Sequence, residues 1–108
     1  MIKPDMFAHK LCALLDRDML TNRDVFDVYY FMQQKTPINK AIVEKRMNTP
    51  FEKYIDQCIS RIEKVNPKSL INGIGELVDR NLKTFVRENL KAETIQLLKM
   101  YREFPILS

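Results

Sequence analysis

Three prolines, each preceded by a side chain that caps helices, constrain this chain more than any other feature: Thr36-Pro37, Thr49-Pro50 and Asn66-Pro67. Proline has a fixed φ and no N–H, which suits the first turn of a helix, and the residue ahead of it resists helical geometry. Each pair is therefore expected to close one helix and open the next, with Thr or Asn as the cap. The middle pair runs on to Glu52, spelling a capping box, Thr49-Pro50-Phe51-Glu52. Between the breaks apolar residues recur at three- and four-residue steps: Phe51, Tyr54, Ile55, Cys58, Ile59 and Ile62, then Leu77, Val78, Leu82, Phe85 and Val86, then Ile95, Leu97, Leu98 and Tyr101. No stretch alternates with period two over a useful length, so strands are not expected. The pattern predicts an all-α array of about six or seven helices, at about 4–17, 22–34, 37–47, 50–64, 67–72, 75–89 and 92–103. The turn Asp18–Thr21 is short, which predicts an antiparallel hairpin for the first two.

A chain of 108 residues with 45% hydrophobic and 30% charged side chains and only 2 glycines is expected to form a single helical domain over 1–108 rather than a disordered segment. The net charge is +4, with both signs spread along the chain. This leaves no basic tail and only a mild bias compatible with a polyanionic partner. Cys12 and Cys58 sit inside apolar helical patterns without C-x-x-C or a nearby His, and read as buried free thiols of a reducing, cytoplasmic protein. The charged start MIKPDMFAHK fits no signal peptide, and no apolar run approaches the roughly 20 residues of a membrane span.

The segment from Phe7 to Tyr30 places charge where a plain amphipathic helix has none. At about 100° per residue, Lys10, Ala13 and Arg17 share a flank beside the apolar stripe of Phe7, Leu11, Leu14 and Leu15. Asp24, Asp27 and Phe31 share a flank of the next helix, beside Val25, Val28, Tyr29 and Met32. Two cations on one helix and two carboxylates on its neighbour form a polar seam beside a core, and such a seam needs partners: each other, or a ligand. Both readings stand on the residues alone. Arg23 and Asp27 are four apart and able to pair on one helix, Asp24 suits a helix first turn capped by Thr21 or Asn22, and Lys10 and Arg17 are able to answer the carboxylates across the pair.

Written as a pattern, the seam is K-x-x-A-L-x-x-R followed by R-D-x-x-D, carried by Lys10, Ala13, Leu14, Arg17, Arg23, Asp24 and Asp27. It resembles the AbiEii-like nucleotidyltransferase toxins of bacterial toxin–antitoxin and abortive-infection systems, and the aromatic continuation Val28-Tyr29-Tyr30-Phe31 is also similar. The resemblance is strong from Phe7 to about Met32; beyond that it is a similar run of helices. It implies an N-terminal nucleotidyltransferase core, in which a Gly-Ser turn and a D-x-D strand hold magnesium and a nucleoside triphosphate, and a helical half that closes the cleft. By the same resemblance Lys10 is the phosphate-binding lysine, Asp24 and Asp27 the catalytic acidic pair, and Arg17 and Arg23 their supporting cations. The implied acceptor is an RNA such as tRNA, and the implied protein partner an antitoxin. Transfer of phosphoryl or nucleotidyl groups is mostly positioning and charge neutralisation, which is work a lysine on a rigid helix can do.

The departure from the family is that no such core is encoded in these residues. No Gly-Ser occurs, neither Gly73 nor Gly75 lies in a strand-to-helix turn, and the D-x-D of Asp16-Arg17-Asp18 falls at a helix end with no strand to hold it. The 108 residues are accordingly expected to be the C-terminal part of a longer nucleotidyltransferase, or a gene remnant, inactive alone and retaining no metal or cofactor by themselves. The alternative is a non-catalytic helical module that binds RNA or a protein partner such as an antitoxin. His9 is the chain's single histidine and reads as a surface or partly buried side chain. Arg80, Lys83, Arg87 and Lys91 recur at helical spacing, either as a solvated face or as a contact for nucleic-acid phosphates, diluted by Asp79 and Glu88.

Overall fold

In the computed structural model the residues described are 2–65, 84–85 and 89–107. Five α-helices run through them: α1 (Lys3–Asp16), α2 (Asn22–Gln33), α3 (Lys40–Met47), α4 (Phe51–Glu63) and α5 (Lys91–Glu103). The array is all-α, without a named strand among the described residues. The count differs from the expected six or seven; the helix expected at 67–72 and most of that at 75–89 lie outside the described residues.

α1 is central. It packs on α2, α3 and α4, while α5 closes the other side against α4 and α2. The buried stripe of α1 (Phe7, Ala8, Leu11, Cys12 and Leu14) meets the stripe of α4 (Phe51, Tyr54, Ile55, Cys58, Ile59 and Ile62) in a single apolar core. Two tyrosine hydroxyls inside that core find backbone acceptors. The Tyr54 hydroxyl, fully buried, reaches the carbonyls of Leu11 (2.8 Å) and Cys12 (3.0 Å), and the Tyr101 hydroxyl donates to the carbonyl of Thr36 at 2.7 Å. Burial pushes the Tyr54 and Tyr101 hydroxyls up from the ordinary tyrosine value, Tyr101 to about 12. Both cysteines are free and buried, and loss of solvent lifts the Cys12 thiol to about 11 and that of Cys58 to about 12.

Two of the expected caps do not form, for tertiary reasons. α3 does not begin at Pro37 behind Thr36. The Ile38 N–H instead donates to the Ile106 carbonyl at 2.7 Å, and Ile38 forms an isolated parallel bridge with Leu107. Backbone pairing of Ile38 with the C-terminal segment keeps residues 36–39 out of the helix, and the cap passes to Asn39, whose side chain accepts the Ile42 N–H at 3.4 Å. Nor is there a capping box at Thr49-Pro50-Phe51-Glu52. The Thr49 hydroxyl turns back to the Met47 carbonyl, and the Phe51 N–H is taken by the Glu44 carboxylate, 2.9 Å away on α3. A capping box does form at Thr21–Asp24, at the start of α2.

Basic side chains close two helix ends. Arg61 donates to the carbonyls of Leu14 (2.9 Å) and Asp18 (3.0 Å) at the end of α1. Lys91 donates to those of Glu63 (2.7 Å) and Val65 (3.0 Å) at the end of α4.

Candidate functional site

The seam forms where α1 gives way to α2. Arg17 is the C-cap of α1, with extended backbone, and Thr21 is the N-cap of α2. Contacts between the two helices run in opposite senses: Phe7 stacks on Phe31 with ring centroids 5.5 Å apart, Lys10 meets Asp27, and Arg17 meets Asp24. Charge placement agrees with the helix dipoles at the turn, an arginine at the carbonyl end of α1 and a carboxylate at the N–H end of α2.

The two carboxylates differ. Asp24 accepts the Thr21 N–H (3.2 Å) and the Thr21 hydroxyl (2.8 Å) on one oxygen, and Arg17 Nε (2.9 Å) on the other. Its own N–H donates to the Thr21 hydroxyl oxygen at 3.2 Å. With its side chain only 10% exposed, Asp24 is a fixed part of the turn, and its free oxygen lone pair is nearly enclosed. Asp27 accepts one bond, from Lys10 Nζ at 3.0 Å, with side-chain exposures of 27% for the carboxylate and 43% for the ammonium. A pair so open to solvent is worth about 0–1 kcal/mol net. Lys10 therefore gives up little in exchanging Asp27 for an incoming anion, and its ammonium carries two further N–H groups.

Arg17 projects from the turn with its Nε held by Asp24, and its guanidinium helps to line an open, largely polar depression of about 500 Å³ with Ala13, Asp16, Asp18, Met19 and Arg46. Arg46 had no signal in the sequence: it stands in the last turn of α3, yet it pairs with Asp16 and donates to His9 Nδ1 at 3.0 Å. The D-x-D residue Asp16 is thus held by a cation from another helix. Arg23 is exposed and makes no ion pair among the described residues, because Asp27 turns to Lys10 across the helix pair rather than to Arg23 along its own helix. Among the described residues no cluster of three or more His, Cys, Asp or Glu side chains is arranged to hold a metal.

Of the basic stripe, Arg80, Lys83 and Arg87 lie outside the described residues. Lys91 is the α4 end cap described above. No helix among the described residues is long and apolar enough to cross a membrane.

Comparison with curated proteins and with solved structures gives no match. A family model does match, and its span runs well past the seam, taking in α1 to α5. That model, described as nucleotidyl transferase AbiEii toxin of a type IV toxin–antitoxin system, covers residues 3–104, nearly the whole chain, and the chain belongs to this family.

Proposed function

We propose that this chain is the C-terminal helical half of a nucleotidyltransferase toxin and that its α1–α2 seam closes the nucleotide-binding cleft of the complete enzyme. The observation that carries this reading is the Lys10 ammonium: on a packed helix, partly open to solvent, and held by one exchangeable carboxylate within the R-D-x-x-D pattern. A cation so placed neutralises phosphate charge as it develops, and its helix fixes where it does so. Arg17 is the second cation of the seam, oriented through its Nε by Asp24. Asp27 holds Lys10 in position until phosphate arrives. Asp24 acts through Arg17 and the turn, so we assign it a positioning role. Arg23, exposed one residue before Asp24, is a supporting cation.

Magnesium does not fit the described residues of this half. Asp24 and Asp27 each have their own cation and no third ligand joins them, so metal and triphosphate chemistry belongs to the N-terminal core, and no step here runs through the metal. The acceptor in this reading is an RNA such as tRNA, and the cellular partner an antitoxin in the cytoplasm. Supplied with a nucleotidyltransferase core, the chain should support transfer of a nucleotide to RNA, and without one it should support none. Lys10→Ala should lower the transfer rate on the order of 10²–10³-fold and leave the circular dichroism spectrum unchanged. Wild-type transfer by the Lys10→Ala protein would refute the assignment.

One observation favours a second reading. Both seam carboxylates are already matched by cations of the same chain, which is what a purely structural seam requires. In that case the chain is a helical module that binds RNA or an antitoxin without a part in catalysis, and Lys10→Ala would leave transfer unaffected.

A further inference from the structure

Of the four tyrosines, three belong to the interior: Tyr29, Tyr54 and Tyr101 are at most 7% exposed. Tyr30 is 52% exposed, at the start of the last turn of α2. Its position is specific. On α2 it lies three residues past Asp27, next to it on the helix surface, at a Cβ step of about 5–6 Å. On α1 the residue one turn before Lys10 is Met6, also exposed at 38%. Because contacts between the helices run in opposite senses, Met6 and Tyr30 fall at the same end of the seam, just beyond the Lys10–Asp27 pair. The Tyr30 ring is braced from below. It meets Phe31 nearly edge-on at 6.3 Å, and Phe31 in turn is stacked on the buried Phe7.

The charge on this face selects an anionic occupant. Lys10 and Arg17 each answer one seam carboxylate, and Arg23, exposed one residue before Asp24, adds a cation that makes no ion pair among the described residues. An anion with a flat apolar group one short step away fits both parts of the surface. We propose that Tyr30, with Met6 across the helix pair, is a platform for the base of the nucleotide whose phosphates meet Lys10, the ribose bridging the step between them. Stacking on an exposed ring tolerates every base, since each presents a π-face, so this platform adds affinity without choosing among nucleotides. The inference rests on the phosphate role given to Lys10 above.

The test uses the 108-residue chain, titrated at millimolar concentrations with ATP and separately with inorganic triphosphate, both without metal, while the resonances of the Tyr30 ring and Lys10 are followed by NMR. ATP should bind roughly tenfold more tightly than inorganic triphosphate, with ring-current shifts at Tyr30 that inorganic triphosphate does not produce. Tyr30→Ala should abolish the difference and leave the triphosphate affinity unchanged, Tyr30→Phe should preserve it, and Lys10→Ala should weaken both ligands. If ATP and triphosphate bind equally, or if Tyr30→Ala keeps the difference, while Lys10→Ala still weakens binding, the platform is refuted and the phosphate clamp stands. If Lys10→Ala changes neither affinity, or neither ligand binds, the clamp fails and the platform fails with it.

Discussion

Removing the Asp24 carboxylate should cost stability where removing that of Asp27 does not, and the size of the gap follows from the bonds each makes. Asp24→Ala deletes the reciprocal half of a capping box, for which loss of a cap gives a cost of about 1 kcal/mol. It also breaks the bond from Arg17 Nε, and the Arg17 side chain is 58% exposed, so the ion-pair part is discounted to roughly 0.5 kcal/mol. The Thr21 N–H left behind belongs to an exposed residue and is answered by water, so no buried-donor penalty is added. The sum is about 1.5 kcal/mol, and for a domain of this size it should lower Tm by roughly 6–12 °C. Asp27→Ala loses one half-exposed pair, about 0.5 kcal/mol or less, and should shift Tm by no more than about 4 °C. Asp24→Asn, which keeps the shape and one acceptor oxygen, should fall between them. Thermal melts followed by circular dichroism at 222 nm, with urea titrations as a second measure, provide the comparison. Equal shifts for Asp24→Ala and Asp27→Ala would refute the distinction between a fixed and an exchangeable carboxylate, and with it the separate roles assigned to them.

The buried thiols predict an alkaline weakness. An unfolded cysteine loses its proton near pH 9 while native Cys12 and Cys58 keep theirs to about 11 and about 12, so the unfolded state binds fewer protons in that window. Stability should therefore be intact below pH 9 and fall as pH rises toward 11–12, and Cys12→Ser with Cys58→Ala should flatten the decline seen in urea titrations. Native protein at pH 8 should resist thiol alkylation until denaturant is added. Lys91→Ala should cost about 0.5–1 kcal/mol by uncapping α4, read as a lower urea midpoint. Thr94→Val should be neutral or raise Tm, since the Thr94 hydroxyl is fully buried and without a hydrogen-bond partner among the described residues.

What the sequence disclosed depended on how local the cause was. α1, α2, α4 and α5 each lie within a residue or so of their expected bounds, because apolar spacing and turn residues are properties of neighbouring positions. α3 starts three residues late because Ile38 is claimed by the backbone of residues 106–107, near the far end of the chain. The capping box at Thr49 lost to Glu44 for a similar reason: a carboxylate from the previous helix reaches the Phe51 N–H first. The same divide runs through the site. The pairs Lys10–Asp27 and Arg17–Asp24 were within reach of helical spacing plus a short turn. Arg46 was not, since nothing near it in sequence announces Asp16 and His9 as its partners.

The seam also shows why a carboxylate pair in a motif need not be a pair in function. In R-D-x-x-D the first aspartate falls at the third position of α2, where its oxygens reach back to the N-cap, and this position alone commits Asp24 to the turn. Three residues later the N–H groups of the helix are all taken, so the side chain of Asp27 finds no backbone donor and turns outward to Lys10. Spacing along the helix thus separates a residue that builds the turn from one that holds a cation in reserve. Under the phosphate role proposed for Lys10, the fixed member would keep Arg17 oriented, whereas the outer member would have to release Lys10. Replacing Asp27 with Ala should therefore free Lys10 and raise triphosphate affinity, and replacing Asp24 should lower it through disorder at Arg17. Titration of both variants with inorganic triphosphate decides the point: shifts in the same direction would show that the two carboxylates serve the seam alike.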